Sequence, residues 1–211
     1  MKIIETNLKF NGTPRKRSAT RRYILHHSAS SDVSAATIHG WHLARKDNGV
    51  PWLGIGYHFV IRQDGTIERG RPENSIGAHA GAGANGDSIG VCFTGNFEEG
   101  RPTEAQLNAF IGLEKLLRPK YGKINIQGHS DVMATACPGK NFPWAYLLAK
   151  INDAPAPAPV NPTIEAIAQL QKAGVINTSD YWLGVVNTGQ SAKAEYVAAL
   201  LQNMASYLKG R

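Results

Sequence analysis

The sequence predicts an α/β domain with a mixed central β-sheet flanked by helices, followed by a small helical C-terminal domain. In roughly the first 150 residues, short apolar segments rich in β-branched residues alternate with segments of helical periodicity. A segment that alternates Pro and Ala then separates this part from a short tail, as is typical of a stiff linker. The predicted boundaries are 1–153 for the first domain, 154–162 for the linker and 163–211 for the C-terminal domain.

Five segments of the first domain are predicted to be strands. Their apolar runs are short and are bounded by Gly, Pro or polar residues. Gln63-Asp64-Gly65 lies between two of them and indicates a β-hairpin. The predicted strands cover residues 23–27, 57–61, 66–69, 88–94 and 123–127.

Helical periodicity predicts three helices in the first domain and two in the tail. In the first helix, Ile38, Trp41 and Leu43 are expected on the apolar side. The second helix opens Thr-Glu-Ala-Gln, which makes Thr103 the expected N-cap. The predicted helices cover residues 34–45, 103–121, 144–151, 163–174 and 196–208.

Composition excludes several classes of protein. The net charge is +7, and residues 1–22 supply +6 of it, with seven Lys or Arg against Glu5 alone. This basic segment is either a solvated arm or a surface that attracts an anionic polymer. Because no nucleic-acid-binding motif accompanies it, we expect no nucleic-acid partner. No apolar stretch is long enough to span a bilayer.

A metal site is predicted from His129 and Cys137, which lie eight residues apart in a loop that ends Cys-Pro-Gly. A third ligand is available where the strand at 23–27 ends in His26-His27. Two imidazoles and one thiolate would leave a fourth zinc position open to water, which is typical of a catalytic site. Successive strand residues point to opposite faces, so only one of the two histidines can contribute, and their spacing does not identify which.

Other residues allow more than one interpretation. Tyr57 is either a core aromatic or a phenol that orients water or stabilises an oxyanion. His58 points to the opposite face from Tyr57. His39 and His42, one helical turn apart, are expected on the surface or in packing roles, and Cys92 is expected to be an inert core thiol.

Six ordered segments resemble the zinc-dependent N-acetylmuramoyl-L-alanine amidases of the type 2 family, which includes T7 lysozyme and the peptidoglycan recognition proteins. The opening residues 3–10 also resemble those of Firmicute prophage endolysins and amidases. The segments are 24–29, 56–61, 64–67, 77–80, 88–92 and 129–139.

The resemblance implies Zn²⁺ ligation by His26, His129 and Cys137. It also implies that Tyr57 is catalytic and that His79 lines the substrate groove. We predict that His58 binds substrate with His79. Thr135 stands where T7 lysozyme has a catalytic lysine, and amidase-active recognition proteins resemble this chain in having threonine there. Thr135 is therefore the second predicted catalytic residue.

The function implied by this resemblance is hydrolysis of the amide between N-acetylmuramic acid and L-alanine in peptidoglycan, by an endolysin or an autolysin. The alternatives are a non-catalytic peptidoglycan-binding module and a closed structural zinc site, for which His27 is the nearest fourth ligand. The C-terminal domain is expected to bind the cell wall or to form a homodimer. The first residues lack a secretory signal, so we expect synthesis in the cytoplasm and holin-dependent or other release to the wall.

Overall fold

A six-stranded mixed sheet forms the centre of the first part of the chain in the computed structural model, which describes residues 3–152, 167, 169–177, 181–183, 185 and 192–209. A separate hairpin consists of β3 (Lys46–Asp47) and β4 (Val50–Pro51). In their order across the sheet, the six strands are β1 (Ile3–Ile4), β6 (Ile67–Arg69), β5 (Phe59–Ile61), β7 (Ser88–Phe93), β2 (Arg22–His27) and β8 (Asn125–Gly128).

The central strand β2 pairs in parallel with both β7 and β8. β5 also runs parallel to β7 but antiparallel to β6, to which the predicted hairpin joins it. Parallel neighbours place their carboxyl ends at one edge of a sheet. The predicted mixed sheet is therefore confirmed, and β2, β7 and β8 all end on the same side.

Helices cover both faces of the sheet. α3 (Glu104–Tyr121) and α4 (Trp144–Asn152) pack on one face, here called the α3 face. α1 (Ala35–Leu43) and the short α2 (Ala82–Asn85) cover the opposite side, the α1 face. Because strand side chains alternate, Tyr23 and Leu25 enter the α3 core while Ile24 joins the opposite one.

The start of α3 is held by the predicted N-cap. The Thr103 hydroxyl accepts the Gln106 N–H, and the Gln106 side chain accepts the Thr103 N–H, which makes a capping box. The Gln106 amide then donates to the carbonyls of Ile61 and Thr94, at the ends of β5 and β7. Gln106 thus connects the start of α3 to the carboxyl edge of the sheet by hydrogen bonds.

The predicted apolar side of α1 is wrong at Trp41, which is 44% exposed. The buried residues are Ala35, Ile38, His39 and His42, which are spaced as one face of a helix. Of the two placements expected for these histidines, on the surface or in packing, the structure shows packing. Their packing role is seen directly, because the Nδ1 atoms accept the N–H groups of Ile55 and Gly56.

Two strands begin two residues later than predicted. The strand expected over 57–61 begins at Phe59, which leaves Tyr57 in the preceding loop. The last strand covers Asn125–Gly128, and a 3₁₀ turn at His129–Asp131 follows it directly. The hairpin β3–β4 was not predicted, although its Asn48-Gly49 turn, with positive φ at both residues, is typical of such hairpins.

Part of the basic N-terminal segment is bound to the domain rather than solvated. The Arg17 guanidinium donates to the carbonyls of Ser75 and Glu73, and Arg22 forms a bidentate pair with Asp87. Lys9, Arg15, Lys16 and Arg21 stay exposed. The interpretation of the whole segment as a solvated arm is therefore wrong for these two arginines.

The chain divides into two compact units, Met1–Ala154 and Pro155–Arg211. In the second unit, a helical stretch ends before Gly174, and a long helix, α5 (Ala194–Lys209), follows. Tyr181 stacks on Tyr196 with 3.9 Å between ring centroids. The predicted linker and residues 163–166 lie outside the described residues. Across the described part of the chain, no helix combines the length and apolar character needed to cross a membrane.

The loop after β2 is fixed by the carboxylate of Asp32. It accepts two hydrogen bonds from the Arg62 guanidinium, at 2.8 and 2.9 Å, and others from the Thr94 hydroxyl and the Gln63 N–H. These contacts, led by that with Arg62, lower the pKa of Asp32 to about 2. The carboxylate therefore joins the loop to the ends of β5 and β7.

We predict that Asp32→Asn lowers the free energy of unfolding by about 1–3 kcal/mol at neutral pH, because a charge-assisted bidentate pair is lost. The carboxylate stabilises the fold above its unfolded pKa of 3.8, and this stability is lost as the pH falls toward about 2. Denaturant unfolding at pH 7, 4 and 2.5 should show the difference between variant and wild type shrinking with acidity. A difference that is constant over this range would contradict the role of the charge.

Candidate functional site

Three potential metal ligands converge at the carboxyl edge of the sheet. His26 lies near the end of β2, His129 follows β8, and Cys137 lies in the loop beyond. One ligand atom from each lies within 4.8 Å of the others. The Cys137 Sγ is 3.6 Å from the His26 Nδ1. The predicted metal-ligating residues are thus brought together.

The sheet register separates His26 from its neighbour His27. His26 is fully buried on the α1 face, whereas the His27 ring turns to the α3 face and packs near Phe97. There the His27 Nδ1 accepts the Phe97 N–H at 3.0 Å. The backbone N–H of His27 is directed to the Cys137 Sγ at 3.4 Å. His27 therefore contacts the thiol through its backbone, and its ring does not supply a fourth ligand.

Local hydrogen bonds shape the loop that carries the thiol. The Ser130 N–H donates to the Cys137 carbonyl at 2.8 Å, which closes the segment between them. The Asp131 carboxylate accepts the Gly128 N–H at the start of the 3₁₀ turn. The exposed Thr135 accepts the Cys137 N–H through its hydroxyl at 3.2 Å. The loop thereby holds Cys137 opposite the end of β2.

The two imidazoles are in a protonation state that suits a bound cation, whereas the thiol must first lose its proton. Burial, reinforced by the neighbouring imidazoles, holds the pKa of His26 well below its ordinary value, and burial also lowers that of His129. Both rings are therefore neutral and have a free nitrogen lone pair. Burial raises the pKa of Cys137 to about 11, so a metal ion that binds there must displace the thiol proton.

An unsatisfied atom supports the same conclusion. The Nε2 of His129 is buried and has no hydrogen-bond partner among the described residues. A buried nitrogen without a partner is costly, and coordination to a cation would remove that cost. Two imidazoles and a thiol form a donor set that suits Zn²⁺. The residues present therefore fit a zinc ion.

A groove of about 850 Å³ opens beside these ligands. It is bordered by the end of α1, the β3–β4 hairpin and the loop before α2. Tyr57 lines it, and its ring centroid is 4.9 Å from that of His26. Burial raises the pKa of Tyr57 well above its ordinary value, so the phenol is protonated and can donate a hydrogen bond.

His79 lies at the boundary between the groove and the protein interior. It borders the groove, as predicted, but only 9% of the residue is exposed. Its Nδ1 is 3.0 Å from the Nε2 of His26. The contact of His79 with a candidate ligand was not predicted.

His58 does not reach the groove, which disagrees with its predicted contact to substrate. It is fully buried, its Nδ1 accepts the Gly90 N–H, and its Nε2 contacts the Ser75 carbonyl at 2.9 Å. Burial lowers its pKa to about 3, so the ring is neutral. With both nitrogens used by the backbone, His58 is a structural link between β7 and the loop at Ser75.

Sequence reasoning did not identify several groove residues. Trp52 forms part of the wall and lies beneath the Arg45 guanidinium, 5.5 Å from the ring centroid. The buried Arg71 also lines the groove and donates to the Ile55 and Ile76 carbonyls. The Asn48-Gly49 turn was the available signal for Arg45 and Trp52, because a hairpin at this turn brings the residues on its two sides next to each other.

Comparison with known proteins gives consistent matches. A family model described as N-acetylmuramoyl-L-alanine amidase matches residues 16–140. The endolysin of Enterobacteria phage K11 is 40% identical over 131 residues, 58% of this chain and 83% of that protein. Peptidoglycan-recognition protein SC2 of Drosophila melanogaster is 35% identical, over 56% of this chain and 68% of that protein. The structure of N-acetylmuramoyl-L-alanine amidase LysC from Clostridium intestinale aligns with a TM-score of 0.66 at 38% identity, covering 72% and 98% of the respective chains.

We predict that His26→Asn abolishes stoichiometric zinc binding while His27→Asn retains it. The asparagine oxygen in His27→Asn can replace Nδ1 as acceptor for the Phe97 N–H, so this variant is a matched control for the neighbouring substitution. Metal content per chain, measured by mass spectrometry after dialysis against zinc buffer, distinguishes the two. Loss of zinc in His27→Asn with retention in His26→Asn would show that His27, and not His26, is the ligand.

Proposed function

The chain belongs to the N-acetylmuramoyl-L-alanine amidase family, and we propose that it hydrolyses the amide between N-acetylmuramic acid and L-alanine of the peptidoglycan stem peptide. The observation that carries this proposal is the group of His26, His129 and Cys137 beside an open groove. A module that only bound peptidoglycan would need the groove but not three converging ligands. The chain is therefore a peptidoglycan hydrolase.

We propose Zn²⁺ as the metal held by these three residues. When bound, zinc supplies Lewis-acid polarisation of the scissile carbonyl and activation of water. The neutral imidazoles of His26 and His129 present lone pairs, and the N–H of His27 stabilises the negative charge of the Cys137 thiolate. The described ligands number three, which supports a catalytic rather than a closed structural site.

Tyr57 and Thr135 are proposed to stabilise the oxygen of the tetrahedral intermediate or to orient the attacking water. The Tyr57 phenol is protonated and lines the groove next to His26. The Thr135 oxygen accepts the Cys137 N–H, so its own hydroxyl proton remains available for donation. Hydrogen-bond donors placed where charge develops are among the larger contributions to acyl-transfer catalysis.

We propose that the protein acts at the cell wall, as an endolysin or an autolysin, after holin-dependent or other release from the cytoplasm. The small second unit would bind the wall or form a homodimer. Its Trp182 forms an edge contact with Tyr181, and both residues line a cavity of about 330 Å³ together with Asn177. Aromatic rings and amides are suited to saccharides, which favours wall binding.

The proposal is tested by incubating purified cell wall with the protein and assaying newly exposed L-alanine amino groups. Wild type should release them, whereas Cys137→Ser should lose zinc and about 100-fold or more of the activity, because Lewis-acid stabilisation is worth several kcal/mol. Cys92→Ala is the matched control for zinc content, since that thiol lies in the α1-face core. Wall binding by wild type without new amino groups would favour the non-catalytic module, and full activity in zinc-free Cys137→Ser would refute the mechanism.

We predict that Tyr57→Phe lowers kcat about 100-fold and leaves the zinc dissociation constant unchanged, because one hydrogen-bond donor to the intermediate is removed. Steady-state kinetics on soluble muramyl peptides and chelator competition measure the two quantities. A wild-type kcat would exclude the phenol from the reaction, and weakened zinc binding would indicate a role in holding the ligands.

A further inference from the structure

The imidazole of His26 makes a contact at each of its two nitrogens. Its Nδ1 is directed at Cys137, and its Nε2 is 3.0 Å from the Nδ1 of His79. A neutral imidazole has one N–H and one lone pair, so only one of the two nitrogens can serve a metal. Whatever fixes the proton on Nε2 therefore decides whether Nδ1 can act as a ligand.

A chain of hydrogen bonds leads from His79 to an atom that can only accept. The Ser88 Oγ is 2.6 Å from the Ala84 carbonyl, which uses the one hydroxyl proton. The Ser88 oxygen can then only accept from the His79 Nε2, which lies 3.4 Å away. A neutral His79 with its proton on Nε2 has a lone pair on Nδ1, and this lone pair must accept from His26.

The His79 ring has little freedom to leave this position. A Cβ atom at Gly77 or at Gly90 would lie 2.4 Å from its Cδ2, so the ring occupies space that only glycine leaves free. Its backbone is also fixed, because the N–H groups of His79 and Ala80 both donate to the Asn85 Oδ1 at 2.9 Å. The acceptor for His26 is thus held from both its side chain and its main chain.

We propose that His79 is a positioning residue that sets the tautomer of His26, with Ser88 and the Ala84 carbonyl as its anchor, so that the His26 Nδ1 keeps a lone pair for the metal. This inference rests on the proposed zinc site and adds a residue that does not touch the metal. Outer partners of this kind orient ligating imidazoles and raise their basicity. The small exposed part of His79 still borders the groove, but its main role is directed inward.

The tautomer is measured directly in metal-free wild-type protein by long-range ¹H–¹⁵N correlation of the histidine rings. We expect the His26 Nε2 to show the shift of a protonated nitrogen and the Nδ1 that of an unprotonated one. The opposite pattern would overturn the proposal. Because this experiment needs no substitution, a variant that fails to fold cannot leave the question open.

Two substitutions test the consequence for the metal. His79→Leu removes the acceptor, and zinc affinity measured by chelator competition should fall about 10- to 100-fold. His79→Asn places an oxygen where Nδ1 was and should restore most of that affinity, together with the wild-type absorption spectrum of the cobalt-substituted protein. Equal weakening in both variants, or wild-type affinity in His79→Leu, would refute the positioning role.

Ser88→Ala tests the end of this series of hydrogen bonds that lies farthest from His26. It leaves the His79 Nδ1 in place but removes the acceptor that fixes its tautomer, so the loss of zinc affinity should be smaller than in His79→Leu. An equal or larger loss would contradict the proposed order of the hydrogen bonds. None of these measurements involves cell wall, so they would stand if the amidase assay failed, and the amidase activity would stand if they failed.

Discussion

The parallel pairing of β2 with both β7 and β8 is the constraint on which the site depends. It places the end of β2 between two other strand ends and gives His26 a fixed side of the sheet. On that side lie the turn that carries His129 and the loop that carries Cys137. Because side chains alternate along a strand, a shift of one residue in this register would bring His27 to the site instead.

The same register buries the inner side of the site. His26, His58 and His79 are buried on the α1 face, where desolvation lowers the pKa of each imidazole. Buried polar rings are costly unless their nitrogens have partners. Here the partners are backbone groups for His58, and a second imidazole for His26. The inner wall of the site is thus a hydrogen-bonded network that fixes the orientation of one proposed ligand, while the outer wall opens to the groove.

The sequence alone predicted those features that depend on local pattern. The capping box at Thr103, the hairpin around Gly65 and the convergence of His129 and Cys137 all follow from short-range rules. Alternation alone could say that His26 and His27 face opposite ways, but which face has the site depends on the neighbours of β2. The contact between His26 and His79 joins residues 53 positions apart, and no local rule predicts it. α1 shows a related limit: hydrophobicity placed Trp41 on the buried side of the helix, whereas His39 and His42 are buried and Trp41 is exposed.

The proposed activity depends on an open three-ligand zinc site, which zinc K-edge X-ray absorption of the zinc-loaded protein tests most directly. The prediction is one sulfur at about 2.3 Å, with two imidazoles and one further light atom at about 2.0 Å. The light atom should be displaced when a zinc-binding inhibitor such as a hydroxamate is added. A coordination shell without sulfur, with two sulfurs, or with a third imidazole in place of the exchangeable atom would contradict the account.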